Sequence, residues 1–354
     1  MKKKILIFLP NLQFGGGEKI SFDLAKEFKK NNVEVIFALQ QLEGEFIEEV
    51  KNIFEIKTFS SSYLVCLFKL FFHLLSNRYD VLISNYFPLN VISCFAGFIS
   101  FTRVVAIEHS PPSLTPFINL NKYKFFSFLF YNLSYKIICV SNGVKKDIID
   151  NCFINKKKIL TIYNPIPDHG YRVKKNDNSK FKIITVGRLK HQKNHFLLIE
   201  AINLLKENIK NSIQLEIIGD GELKKDLYDC IKNFKLDRQI KLIGFKENPM
   251  KYVAQSSLFV LSSDYEGLPT VLIEALYTGI DIISTNCPYG PSEILSNYPN
   301  STLVPVNDTR AMSRAIENYF VNKNKTIEKK ENNIKNFLPQ IVFAKYYSII
   351  YGND

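Results

Sequence analysis

Ser263-Asp264-Tyr265-Glu266-Gly267-Leu268-Pro269-Thr270-Val271-Leu272-Ile273-Glu274-Ala275 follows directly on the apolar run Leu258 to Leu261. The order is a strand, a tight loop and a helix start. Pro269 suits the first helical position because its missing N–H would be unpaired there, which leaves the amides of Gly267, Leu268 and Thr270 to face an anion. The loop is therefore a candidate phosphate seat. Glu266 stands at its mouth, and Glu274 follows just over two helical turns later, close to the same side of the helix. Glu274 is flanked by apolar residues on both sides, so it is expected to be buried and to need a polar partner.

Working outward, strand-like and helix-like patterns alternate along the whole chain. Ile5 to Leu9, Val33 to Ala38, Val81 to Ser84, Val104 to Ile107 and Lys136 to Val140 are predicted strands of a first parallel sheet. The helix after Gly17 carries Ile20, Leu24 and Phe28 at helical spacing. Phe181 to Val186, Ile213 to Ile218, Ile240 to Leu242, Leu258 to Leu261, Ile280 to Ser284 and Thr302 to Val304 form a second series. Between them lies a stretch rich in proline, glycine and charge, including Pro165, Pro167, Gly170, Lys174 and Lys175. The expected organisation is an amino-terminal domain over 1–165, a linker over 166–180, a carboxyl-terminal domain over 181–325 and a final segment over 326–354. A chain of 354 residues fits two domains of ordinary size.

In the second series, Gly187 lets the chain turn after a strand and a helix follows from about Asn194, so Arg188 and Lys193 occupy a loop at a strand's carboxyl end. That is where open α/β sheets bind ligands. In the first series, Phe14-Gly15-Gly16-Gly17-Glu18-Lys19 is a glycine loop opening a helix, and Glu108-His109-Ser110-Pro111-Pro112 again follows a strand. The Gly-x-Gly-x-x-Gly dinucleotide spacing is absent.

The segment from Glu266 to Glu274 resembles the Glu, seven residues, Glu motif of the retaining glycosyltransferases of family four. The likeness extends to Val186-Gly187-Arg188-Leu189, Gln192-Lys193-Asn194-His195, Ile218-Gly219-Asp220-Gly221-Glu222-Leu223 and Cys287-Pro288-Tyr289-Gly290-Pro291-Ser292-Glu293. Asp281 stands where that family commonly has proline. The resemblance implies the GT-B architecture, two Rossmann-like doubly wound domains facing a central cleft, with the last helix returning to the first domain. It implies transfer, with retention of anomeric configuration, of a hexose or N-acetylhexosamine from a nucleotide-sugar, UDP-linked by expectation, to a glycan or lipid-linked acceptor. Glu266 would hold the sugar, Glu274 the nucleotide's ribose, and Arg188 and Lys193 the diphosphate. Gly15, Gly16 and Gly17 would lie over diphosphate and acceptor, and His109 beside the donor sugar. Two rival readings are a nucleotide-sugar 2-epimerase of the same fold and a noncatalytic sugar-nucleotide-binding protein. No Asp-x-Asp signature occurs, so no metal and no cofactor are expected.

The six cysteines show no Cys-x-x-Cys spacing, which points to reduced thiols in a cytoplasm rather than to disulfides or zinc. The first apolar run is too short for a signal peptide and reads as a strand. Val91 to Ile107 and Phe125 to Val140 are apolar but interrupted, and read as core rather than as membrane spans. Residues 120–175 hold 11 basic and 3 acidic residues of a chain whose net charge is +12. Aromatic residues interleave with that excess, which suits either a solvated basic face or peripheral contact with an anionic membrane, on the cytoplasmic face of the inner membrane, and a polyprenyl-diphosphate-linked or lipopolysaccharide acceptor. No nucleic-acid reader motif accompanies the charge.

Overall fold

The computed structural model describes residues 3–13, 16–115, 119–166, 168–173, 181–322 and 334–352. Its contacts divide the chain into Met1–Pro167 with Lys335–Asp354, and Asp168–Ile334. The first unit is a seven-stranded parallel sheet: β1 (Lys4–Leu9), β2 (Glu34–Leu39), β3 (Glu55–Thr58), β4 (Val81–Asn85), β5 (Arg103–Glu108), β6 (Lys136–Cys139) and β7 (Ile159–Thr161). Their order is β3-β2-β1-β4-β5-β6-β7. β1 and β4 are buried almost throughout, as strands covered on both faces must be. Helices α1 (Gly16–Lys30) and α2 (Ile47–Lys51) follow β1 and β2, while α3 (Tyr63–Ser76), α4 (Leu89–Ile99) and α5 (Leu120–Phe130) serve the strands from β4 onward; α6 (Asn142–Asn151) precedes β7. Right-handed crossovers put α1 and α2 on one face of the sheet and α3, α4 and α5 on the other. There α3 packs against α4, and α4 against α5.

The second unit is a six-stranded parallel sheet: β8 (Phe181–Val186), β9 (Ile213–Ile218), β10 (Ile240–Gly244), β11 (Leu258–Leu261), β12 (Asp281–Thr285) and β13 (Ser301–Val304), in the order β10-β9-β8-β11-β12-β13. Its main helices are α7 (His195–Asn203), α9 (Lys224–Asn233), α11 (Thr270–Thr278) and α13 (Thr309–Asn322), with the short α8 (Glu207–Lys210), α10 (Met250–Val253) and α12 (Pro291–Leu295) between them. Leu198, Leu227 and Ile316 from α7, α9 and α13 share one buried core with Ile183, Leu215 and Val260. The last helix, α14 (Pro339–Tyr351), packs on α1 of the first unit. Phe28 and Phe343 meet edge to face at 5.1 Å, and Lys3 Nζ donates to Tyr347 Oη.

Several boundaries differ from the sequence reading. β3 and β7 were not anticipated: β3 is a mostly exposed edge strand with the charged sequence Glu-Ile-Lys-Thr, and β7 spans three residues. Most of the expected linker lies outside the described residues, but Asp168–Val173 belongs to the second unit and straps α11. His169 Nε2 bonds the Glu274 carbonyl at 2.9 Å, and the Val173 amide bonds the Thr278 carbonyl at 2.8 Å. Of the final segment, α14 starts at Pro339, which cannot continue a helix from before it. Asp281 opens β12, and its carboxylate accepts from the hydroxyl of Tyr319 on α13, so this departure from the family pattern is locked locally.

The two apolar stretches read as core are only half so. Phe98, Ile99 and Phe101 of the first, and Phe125, Phe126 and Phe128 of the second, are exposed. Among the described residues no helix is long and apolar enough to cross a membrane.

Candidate active site

In each sheet the chain order reverses once, between β1 and β4 in the first unit and between β8 and β11 in the second. Adjacent loops there leave the sheet in opposite directions and open a crevice at the strands' carboxyl ends. Among the described residues, the sequence-predicted site residues other than Glu274 lie in loops leaving strand carboxyl ends or in the first helical turns that follow them.

In the second unit the loops after β8 and β11 are stitched together. The Asp264 amide donates to the Gln192 carbonyl at 2.9 Å, Ser262 Oγ to the Lys193 carbonyl at 2.8 Å, and Asn194 Nδ2 to Asp264 Oδ1 at 2.7 Å. Asn194 takes a left-handed conformation, φ 42°, and caps α7 by accepting from the Leu197 amide. Asparagine tolerates that backbone better than most residues.

Within this frame Lys193 and Glu266 form one ion pair, Nζ to Oε1 at 2.5 Å, with side chains only 18% and 7% exposed. Ser263 Oγ donates to the same Oε1 at 2.7 Å, and Gln192 Nε2 anchors the loop through the Tyr265 carbonyl at 2.9 Å. Glu266 is thus buried beneath the loop rather than standing at its mouth, and it is held in place before any ligand arrives. Arg188 is exposed on the same loop, beside the buried Leu189, whose amide bonds the Asp220 carbonyl at 2.9 Å. Gly187 does not occupy left-handed backbone, and a Cβ there would rest on the Lys193 stem at an ordinary 3.5 Å. The demanding glycine is Gly219, φ 150°, where a Cβ would fall 1.9 Å from the Gly187 carbonyl oxygen.

Pro269 is the residue before α11 rather than its first helical position; Thr270 opens the helix. Among the described residues the amides of Gly267, Leu268 and Thr270 have no hydrogen-bond partner, the arrangement an anion needs. Glu274 is half-buried rather than buried, on the α11 turn whose carbonyl His169 holds.

In the first unit Gly15 lies outside the described residues. Gly16 is exposed with open space around its Cα, whereas Gly17 is buried and a Cβ there would meet Tyr86 Oη at 1.9 Å and His109 Cε1 at 3.4 Å. The Tyr86 and His109 rings lie 4.6 Å apart and tilted by 32°. His109 Nε2 bonds Asn85 Oδ1 at 2.9 Å, and Asn85 Nδ2 donates to the Phe8 carbonyl at 3.3 Å. That second bond orients the amide, so the proton sits on Nε2 and Nδ1 carries a lone pair. Burial pushes the His109 pKa down to about 4. Its neighbour Glu108 is buried on the far side of the strand, accepting from Asn90 Nδ2 and the Tyr131 hydroxyl, and burial raises its pKa to about 7.

Tyr86 and Asn85 were not anticipated. Their only signal was the position of Asn85-Tyr86-Phe87-Pro88 directly after a predicted strand. Among the described residues no group of three His, Cys, Asp or Glu side chains could share a metal ion.

Residues 171–337 match the model "Glycosyl transferases group 1", and residues 14–169 match "Glycosyltransferase Family 4". The chain belongs to these glycosyltransferases. A Campylobacter jejuni N-acetylgalactosamine-N,N'-diacetylbacillosaminyl-diphospho-undecaprenol 4-alpha-N-acetylgalactosaminyltransferase is 33% identical over 61% of the chain, which spans 60% of that relative's length. A second C. jejuni enzyme, an alpha-1,4-N-acetyl-D-galactosaminyltransferase named for a diNAcBac-PP-undecaprenol substrate, is 27% identical over 89% of the chain and 88% of its own length. Anabaena HepE, solved in complex with UDP-glucose, has the same fold: a TM-score of 0.78 over 99% of this glycosyltransferase and 97% of HepE, at 18% identity. The architecture is GT-B, built from two Rossmann-like domains.

Proposed function

We propose that the chain transfers a hexosyl or N-acetylhexosaminyl group, with retention, from a UDP-sugar to a polyprenyl-diphosphate-linked glycan acceptor in the assembly of a bacterial surface glycan. The observation that carries this reading is the preformed pair of Lys193 and Glu266 beside the unpartnered amides of Gly267, Leu268 and Thr270. The names of the C. jejuni relatives support the acceptor class, and the UDP-glucose bound by HepE supports the donor class.

As the glycosidic bond to the diphosphate breaks, negative charge grows on the leaving oxygen and positive charge on the sugar ring. Arg188, Lys193 and the α11 amides meet the first; fixed donors of this kind act mostly on the transition state because they need no reorganisation when charge develops. Glu266 meets the second and fixes the ring through its hydroxyls. One oxygen accepts from Lys193 and Ser263, and the other accepts only a long bond from Gln192 Nε2 at 3.5 Å, which a sugar hydroxyl would share or displace. Glu274 binds the ribose. The leaving phosphate oxygen accepts the acceptor's proton, so no protein nucleophile is used, and the charge is neutralised by protein groups without a metal. His109 presents an unprotonated Nδ1 as a hydrogen-bond acceptor for a hydroxyl. The enzyme works in the cytoplasm at the membrane surface, with no nucleic acid partner.

The test is release of UDP from a panel of UDP-sugars, with and without an undecaprenyl-diphosphate-linked glycan, in the presence of EDTA. Acceptor-dependent release is expected. Conversion of the donor to its 2-epimer without acceptor would identify an epimerase, tight binding without turnover a binding protein, and a strict need for added magnesium or manganese would overturn the metal-free reading.

A further inference from the structure

Helix α3, Tyr63-Leu-Val-Cys-Leu-Phe-Lys-Leu-Phe-Phe-His-Leu-Leu-Ser76, is apolar almost all round. Such a helix is normally enclosed on every side. This one buries only Cys66, Leu70 and Leu74 against the domain, and turns Leu64, Phe68 and Phe72 outward at 64%, 54% and 60% exposure. The same face of the sheet continues into two further apolar edges. At the end of α4 the turn carries Phe98, Ile99 and Phe101, the last 96% exposed and in left-handed backbone, φ 56°. A bulky side chain rarely adopts that conformation. The turn is pinned by the Thr102 amide bonding the Gly97 carbonyl at 2.8 Å. Helix α5 adds Phe125, Phe128 and Leu129, all exposed.

The charge carried by these helices has one sign. Helices α3, α4 and α5 contain no acidic residue, and from Val81 to Lys146 the only one is Glu108, which is buried. Lys69, Arg103, Lys122 and Lys124 lie among or beside the apolar residues. A second copy of the chain docked on this patch by two-fold symmetry would set cation against cation with no acid to pair. An anionic lipid surface supplies both an apolar interior and negative headgroups. With 14 residues, α3 is about 21 Å long, too short to cross a hydrocarbon core of about 30 Å, so it fits lying in the plane of the interface.

We propose that the face formed by α3, the Phe98–Phe101 turn and α5 inserts into the interfacial layer of an anionic phospholipid bilayer and seats the first domain there. This rests on the reading that the acceptor is lipid-linked, and it relocates the contact from the basic 120–175 stretch as a whole to an apolar facet with a cationic surround.

The experiment is co-sedimentation of the full chain with phosphatidylcholine vesicles, with and without phosphatidylglycerol. Leu64→Gln/Phe68→Gln/Phe72→Gln should lower the partition constant about 100-fold or more, and Phe101→Ser alone about tenfold, because each removes apolar area that would leave water on insertion. Lys156→Gln/Lys157→Gln should stay within about threefold. Binding to phosphatidylglycerol vesicles should persist in about 1 M salt, where screening reaches about 3 Å. Wild-type partitioning by the triple variant, folded by circular dichroism, would overturn the proposal, as would complete release by salt. So would a wild-type dimer in sedimentation velocity that the triple variant converts to monomer, which would make the face a self-interface. Phe101→Ser stands in if the triple variant fails to fold. Vesicle binding with transfer only to a water-soluble glycan would sink the acceptor reading and leave the docking face. Transfer to lipid-linked acceptor in detergent, with no vesicle binding, would do the reverse.

Discussion

The crevices at the two points where strand order reverses occupy equivalent places in similar sheets and are built from opposite materials. In the second domain the loops after β8 and β11 enclose a buried ion pair, Lys193 with Glu266, tied by Ser262, Ser263, Asp264 and Asn194. In the first domain the loops after β1, β4 and β5 bring together Gly17, Tyr86, Asn85 and a histidine kept neutral by burial. On the proposed function, the fixed charge of the second domain serves the donor diphosphate, and the neutral histidine of the first serves a sugar hydroxyl.

The contrast is broken most severely at Glu266. Glu266→Ala is expected to lower transfer by about 10³-fold or more while UDP affinity, measured by calorimetry, changes little. Near wild-type turnover would remove Glu266 from the sugar. Glu274→Ala should show the opposite balance, with weakened UDP binding. Next in size comes the partner cation. Lys193→Ala should lower kcat about 10²-fold and also destabilise the second domain by about 3 kcal/mol, because it leaves a buried carboxylate without its cation. Adding Glu266→Gln to Lys193→Ala should recover much of that stability and none of the activity. Additive losses in denaturant melts would mean that the two side chains do not depend on each other.

A smaller change probes the first domain. Gly17→Ala places a methyl against the Tyr86 hydroxyl and should cost about 1–3 kcal/mol of overpacking strain. Tyr86→Phe in the same chain should relieve it. If Gly17→Ala alone were neutral, the close approach of α1 to Tyr86 would not be a constraint.

What the sequence made legible follows the same contrast. The second domain's strands and the loops after β8 and β11, on which the candidates Arg188, Lys193 and Glu266 sit, were readable, because apolar runs end abruptly in ordered polar motifs, whereas the burial of Glu266 and the half-exposure of Glu274 were not. The pairing of Lys193 with Glu266 was not, since it joins residues 73 apart in sequence and exists only once β8 and β11 are neighbours. In the first domain β3 escaped notice because an edge strand needs no apolar run, and Tyr86 because a left-handed tyrosine, φ 68°, has no sequence signature. The exposed face of α3 was invisible for a different reason. An apolar helix looks the same in sequence whether its outer side is covered or bare.

The smallest effect concerns Glu108 and His109, neighbours whose pKa values are driven in opposite directions by burial, up to about 7 and down to about 4. Between about pH 4 and 6.5 the unfolded chain protonates His109 and the folded one does not, so this residue makes stability rise with pH. Between about 4.5 and 7 the folded chain holds a proton on Glu108 that the unfolded one has lost, so this residue makes stability fall with pH. In their shared window the two slopes oppose each other. Glu108→Gln should therefore add a rising slope relative to wild type, up to about 1.4 kcal/mol per pH unit, and His109→Gln a falling slope of similar size. Urea midpoints from pH 4.5 to 6.5 measure both. Parallel curves for wild type and both variants would show that neither group changes its proton affinity on folding, and the first domain's crevice would then be no less hydrated than the chain's surface.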